Sequence, residues 1–211
     1  MYKKVILSID ALIGNGSLSI LENIEFSAEA RVIGSYMQSG KRMSAEKILQ
    51  DISDLLERNR IKKEDIETIL ITELPPVSTG IRIGLATAAG LSKGLGTNLV
   101  LLPILDVLLA QAAIKEGRII AALEIKNKNI LWKIFEVGND RKISITGTEL
   151  TDKTSFLNTI MNIDFEQIVT TGNSFIEELD NHQNIREKIQ RINKDDNFSL
   201  TAGKYFLARV R

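Results

Sequence analysis

Cysteine is absent from the 211-residue chain. Disulfides, thiolate nucleophiles and cysteine-ligated zinc are therefore excluded. Histidine occurs once, as His182 in the polar run DNHQN. A lone histidine in a polar loop is ordinarily solvated, and its isolation removes most metal-site and Ser-His-Asp hypotheses, which need clustered or oriented histidines. Net charge is missing as well: Lys+Arg and Asp+Glu each number 27, so no global basic field draws in nucleic acid. No segment approaches the roughly 20 apolar residues that span a bilayer. The opening apolar run VILSI is short and broken by Asp10, unlike a secretory leader. The expectation is a cytoplasmic protein with no membrane segment.

What remains is an ordinary globular composition, 44% apolar and 26% charged. The length suits one large or two small domains. KKVILSID reads as a buried strand, Asn15-Gly16 as a hairpin turn and NIEFSAEARV as a third strand. SAEKILQDISDLLERN, Ser44 to Asn59, is an amphipathic helix whose stripe is Ala45, Ile48, Ile52, Leu55 and Leu56, with Ser44 as N-cap. A strand at Thr68–Thr72 precedes the rigid Pro75-Pro76 link. A helix from Thr79 to Lys93, the strand TNLVLLPI and the helix ILDVLLAQAAIKEG complete a β-β-β-α-β-α-β-α half. The second half starts again with strands RIIAALEIK, ILWKIFEV and KISITGTEL. A helix DKTSFLNTIM, a strand FEQIVTTG, a helix NSFIEELDN and a basic helical stretch follow. LTAGKYFLARV is left as helix or strand. The basic residues Arg186, Lys188, Arg191, Lys194, Lys204, Arg209 and Arg211 are expected on a solvated helix face. The repeated order predicts two related α/β lobes, 1–103 and 104–211.

The run STGIRIGLATAAGLSKGLG, Ser78 to Gly96, mixes five glycines with an apolar helical spacing. Ser78, Thr79 and Arg82 at its start suit an anion, because free N–H groups at a helix N-terminus attract one. No Walker motif and no G-x-G-x-x-G accompanies them. The competing reading is a helix whose Gly84, Ala88 and Ala89 allow close packing, with Gly94 and Gly96 ending it. Asp10, ending the first strand, could orient a metal or a phosphate-bound water, or cap a turn. The Ala11-Leu12 that follows supplies neither hydroxyl nor glycine for phosphate. Glu124 ends a strand in the second half and could reach a cleft or pair with Lys126 or Arg118. No acid/base pair stands out.

Thr79 to Ala112 carries a T-G-I-R-I-G start, a small-residue helix, a G-L-G turn, a strand and then ILDVLLA. In this order the motifs resemble the TsaB family, also called YeaZ, the bacterial partner in threonylcarbamoyladenosine modification of tRNA. Weaker agreement covers ILSIDALIGNGSLSILENIE, LEIKNKNILWKIFE and VTTGNS. The resemblance implies the two-lobed actin-like ATPase, Hsp70 and sugar-kinase (ribonuclease H-like) α/β fold, each lobe a mixed sheet with flanking helices. It implies a non-catalytic scaffold, with no catalytic or metal residues, that binds a TsaD-type catalytic subunit and works with a TsaE-type ATPase. Such a scaffold would touch tRNA only indirectly and could self-associate through the same surface. The catalytic paralogue, TsaD, has an H-x-x-x-H pair that one histidine cannot supply. The expected partner interface is Ile48, Ile52, Leu55, Arg82, Gly84, Leu85, Ala88 and Ala89. Nucleotide is expected to be absent, or to be ATP or ADP held weakly or at an interface, with Asp10, Ser78, Thr79 and Arg82 as its anion contacts. Leu74 and Pro76, where the family has glycines, and Ala11-Leu12 weaken that contact. The alternative is a small ATP-binding phosphotransferase or ATPase of the same fold.

Overall fold

A computed structural model of the chain describes residues 4–23, 30–38, 45–74, 79–114, 116–125, 128–138, 141–171, 177 and 179–209. Two compact units are present, Met1–Ala110 with Asn197–Arg211, and Gln111–Asp196. The first holds strands β1 (Val5–Asp10), β2 (Ser17–Asn23), β3 (Ala30–Met37), β4 (Ile66–Glu73) and β5 (Asn98–Pro103) in the order β3-β2-β1-β4-β5. Strands β1 to β3 form an antiparallel meander, while β4 and β5 join parallel to β1. The expected Asn15-Gly16 turn lies between β1 and β2, where Gly14 and Gly16 take positive φ.

Helices α1 (Ala45–Arg58) and α2 (Thr79–Leu95) lie against one face of this sheet. Alternation along β1 and β2 sends Val5, Leu7, Ile9, Leu18 and Ile20 to that face, where Ile48, Ile52, Leu55, Leu56 and Ala88 join them in one core. The proposed Ser44 cap and the Pro75-Pro76 link lie outside the described residues. The opposite face of β1 and β2 carries Ile6, Ser8, Ser17, Ser19 and Leu21, all buried. That face is covered from the far end of the chain.

The last segment, left open between helix and strand, is a helix, α6 (Phe198–Arg209), packed on β1 and β2. This corrects the division at residue 103, because α6 belongs to the first unit. Its first turn is tied down by polar groups: Asn197 Oδ1 accepts from Leu200 N at 2.9 Å, and Ser199 N donates to Ser17 Oγ at 3.0 Å. Gly203 then sets how close the helix comes, since a Cβ there would lie 2.4 Å from Leu21 Cδ1. At its far end, Tyr205 Oη donates to Asp106 Oδ2 (3.1 Å) on α3 (Ile104–Gln111), and Arg209 Nη1 donates to Tyr205 Oη (2.6 Å).

The second unit repeats the topology. Strands β6 (Gly117–Glu124), β7 (Asn129–Gly138), β10 (Gln167–Thr171) and β11 (Ile189–Ile192) run in the order β11-β10-β6-β7. β7 is antiparallel to β6, and β10 and β11 are parallel to it and to each other in turn. The run read as one strand, KISITGTEL, is two: β8 (Arg141–Ser144) and β9 (Glu149–Asp152) both pair with β7. Between them Thr146 Oγ1 takes the Ile134 N–H (3.1 Å), so a side chain replaces a ladder bond. Trp132 packs edge-on to Phe156, its ring centroid 5.5 Å away, on helix α4 (Lys153–Ile160). The basic stretch expected as one helix is a single turn, α5 (Gln183–Arg186), followed by β11. Two of its cations are engaged, Lys188 Nζ lying 4.7 Å from the Phe165 ring centroid and Arg191 pairing with Asp180, while Arg186 and Lys194 are exposed as expected.

Two glycines should respond in opposite directions. Gly203→Val forces a buried contact and should lower stability by about 1–3 kcal/mol. Gly90→Ala, exposed on α2 with nothing within 4 Å of a new Cβ, should raise it by about 0.5–1 kcal/mol. Urea midpoints read both. Burial first, then the Asp106 carboxylate, push the Tyr205 phenol up to about 12. A folded value above the unfolded one stabilises below the unfolded pKa and is lost as pH rises towards the folded one. Tyr205 should ionise late, towards pH 12, in an ultraviolet titration. Tyr205→Phe should remove that late step and part of the loss of stability between about pH 10 and 12.

Candidate functional site

The two strand-end carboxylates occupy the same place in their respective units. Asp10 is the last residue of β1 and Glu124 the last of β6, each the central strand of its sheet. Asp10 is 1% exposed. Its Oδ1 accepts from Thr72 Oγ1 on β4 at 2.6 Å, and its two oxygens accept from Leu12 N and Ile13 N at 3.3 Å. The carboxylate therefore closes the turn that follows its own strand. Glu124 faces Lys153 Nζ at 3.4 Å, and both are largely shielded. Lys153 opens α4, where the helix dipole disfavours a cation, and Glu124 supplies the compensating charge. Of the two pairings read from the sequence, Lys126 lies outside the described residues, and Arg118 lies 4.0 Å from Glu136 and donates to the Asp164 carbonyl.

Of the expected anion contacts, Ser78 lies outside the described residues, and of Thr79 only the backbone, opening α2, is described. Arg82 is exposed on α2. Gly84 is buried, and a Cβ on it would sit 2.8 Å from the Ala11 methyl. Gly84 therefore admits the turn after β1, and Ala11 occupies the space beside it. Among the described residues no three His, Asp or Glu side chains gather into a metal-holding group. No helix among them is long and apolar enough to cross a membrane.

The expected partner residues separate into two sets. Ile48, Ile52, Leu55 and Ala88 are 1, 4, 6 and 0% exposed and belong to the unit's own core. Leu85 packs on that core, and Gly84 faces it. This corrects their assignment to an outer surface: a stripe that covers the sheet is spent there. Ala89 and Arg82 do face outward, and Ala86, Gly90, Lys93 and Gly94, which were not among the expected partner residues, face outward with them. Their signal was legible as the positions out of phase with the buried Gly84 and Ala88. Between α1 and α2 runs an apolar groove of about 610 Å³. Leu49 (46% exposed), Ile52 and Leu56 line one bank, and Ala86, Gly90 and Leu91 the other.

A family model described as TsaD, tRNA N6-adenosine threonylcarbamoyltransferase, matches residues 22–205. The chain belongs to the TsaD family. YeaZ from Pseudomonas aeruginosa is 18% identical, over 71% of this chain and 68% of that one, with a TM-score of 0.58. A structure titled as an uncharacterized protein with similarity to peptidase YEAZ, from Pseudomonas aeruginosa, is 15% identical over 98% and 93%, with a TM-score of 0.71. A Bacteroides thetaiotaomicron protein with actin-like ATPase fold and unknown function is 12% identical over 98% and 96%, with a TM-score of 0.55. No curated protein sequence matches. At these identities the structures speak for the fold, which is the actin-like one with YeaZ-like members that the Thr79–Ala112 motifs implied.

In this TsaD-family chain the Asp10 contact is a structural bond open to measurement. Thr72→Val should cost about 1 kcal/mol, and Asp10→Ala about 1–3 kcal/mol because buried N–H groups lose their acceptor. A double-mutant cycle in urea should return a coupling of about 0.5–2 kcal/mol between the two.

Proposed function

We propose that the chain is a non-catalytic partner subunit of the tRNA threonylcarbamoyladenosine machinery. It docks a TsaD-type catalytic subunit on the outer face of α2 and the adjoining α1–α2 groove, in a cytoplasmic complex served by a TsaE-type ATPase. The single observation that carries this is the surface of α2. Ala86, Ala89 and Gly90 stand outward beside the apolar groove, and a Cβ on Gly90 would meet nothing within 4 Å. Small residues on one helix let a second helix lie close, and an apolar groove beside them accepts its side chains. The strand-end carboxylates support the same reading, because Asp10 and Glu124 are already engaged by Thr72, the turn N–H groups and Lys153. Nucleotide, where present, is held at the partner interface rather than by this chain alone.

Mixing with a purified TsaD-type protein tests the proposal. At micromolar concentrations sedimentation should show a complex of the two chains. Gly90→Arg should keep the fold, with circular dichroism unchanged and melting no lower than that of the parent chain, while weakening association by about 100-fold, since one bulky side chain in a packed centre is enough. Two folded chains that do not associate would overturn the proposal. A tight, magnesium-dependent ATP signal in calorimetry of the isolated chain would point instead to a small phosphotransferase.

A further inference from the structure

An edge strand carries a row of backbone N–H and C=O groups without a ladder partner. Each of the two sheets has two such edges, and three of the four are blunted. On β3, Ile20 pairs with Gly34 and Leu21 with Val32, so Ile33 is an extra residue that bulges the strand, and Arg31 adds a charge. In the second sheet, edge strand β11 is four residues long and contains Arg191. The opposite edge is broken at Thr146 into β8 and β9, and β9 carries Glu149 and Asp152. Bulges, shortness and charge are the ordinary means of keeping a further strand away.

β5 has none of these devices. Its six residues, NLVLLP, pair with β4 from Thr68–Asn98 to Glu73–Pro103 without a register shift. None of them is charged, and the one proline is the last residue. Among the described residues no backbone bond reaches the outer side of β5. Leu99 packs on the core with α2. Leu101, two positions on and so on the same face of the sheet, is 40% exposed. A continuous, uncharged, apolar edge is a template for another strand.

The strand that fits is apolar and free of charge, and β5 of a second copy meets both demands. A charged edge would meet its own charge across a two-fold axis, and β5 has none to oppose. The pairing also closes. Once two β5 strands are joined, the outer edges of the enlarged sheet are the two β3 strands, both blunted, so growth stops at two chains. We propose that two copies of the chain associate through antiparallel pairing of β5 with β5, joining their five-stranded sheets into one. Asn98–Leu102, the part of β5 with backbone N–H groups, is centred on Val100. Full overlap therefore sets Val100 against its own copy and Leu99 against Leu101 of the second copy, aliphatic pairs of the kind that stabilise a ladder. The inference does not rest on the partner reading, since no residue lining the α1–α2 groove is on β5.

Sedimentation equilibrium of the full chain tests this. A single strand pair is a small interface, so the dimer should dissociate with a constant of about 10 μM. Leu101→Lys, at an exposed position, should keep the circular dichroism of the parent and weaken the dimer about tenfold, as a lysine on an edge does. Gly90→Arg, in the groove, should leave the dimer unchanged. The chain has no cysteine, so Val100→Cys offers one thiol per chain. Air oxidation should link two such chains, because facing residues of antiparallel strands lie about 4.5–5.5 Å apart at Cα, within disulfide reach. A parent chain that is monomeric at about 100 μM would overturn the proposal. So would a dimer as tight in Leu101→Lys as in the parent, a dimer lost in Gly90→Arg, or oxidised Val100→Cys that stays monomeric.

Discussion

The first unit is organised by a strand that must be covered on both sides. All six residues of β1 are buried, and a central strand of that kind needs a helical layer over each face of the sheet. Helices α1 and α2 follow closely in the chain and cover one face. The other is covered by α6, 180 positions beyond its partner in the Ser19–Ser199 hydroxyl contact. The first unit is therefore closed only when the end of the chain returns to it. The details of α6 follow from this: its first turn satisfies the buried serines of β2, Gly203 removes the one Cβ that would collide with Leu21, and Tyr205 fastens its last turns to α3.

The same demand divides the surfaces of α1 and α2. An amphipathic stripe of Ile48, Ile52 and Leu55 is spent on the sheet, as is the Gly84–Ala88 face of α2. What stays outside is the complementary phase: Leu49 on one helix, and Ala86, Ala89 and Gly90 on the other. Glycine thus serves two unlike purposes within one helix. At position 84 it lets the chain's own turn approach, and at position 90 it leaves the outer surface flat.

The two units share one topology, and the likeness extends to a carboxylate at the end of each central strand. They neutralise it differently. Asp10 draws on a hydroxyl and two backbone N–H groups, whereas Glu124 draws on a lysine at a helix start. Around them Ala11 packs beside Gly84, the Leu12 N–H bonds Asp10 and Lys153 faces Glu124.

By itself the sequence determined much of this protein. The alternation along β1, the Asn15-Gly16 turn, the stripe of α1, the span of α2 and the repeated order of strands and helices all follow from local pattern. Pattern records which positions are apolar, and neighbouring residues decide it. The motifs of Thr79–Ala112 likewise pointed to the family. Only the tertiary structure decided which partner each face meets. It returned LTAGKYFLARV to the first sheet as α6, split KISITGTEL at Thr146, and broke the basic stretch into a helical turn and a strand. It also moved Ile48, Ile52, Leu55 and Ala88 from a presumed outer surface into the core. Those outcomes depend on contacts between residues far apart in the chain, and on whether a Cβ at a given glycine meets an atom or open space. No local spacing carries that information.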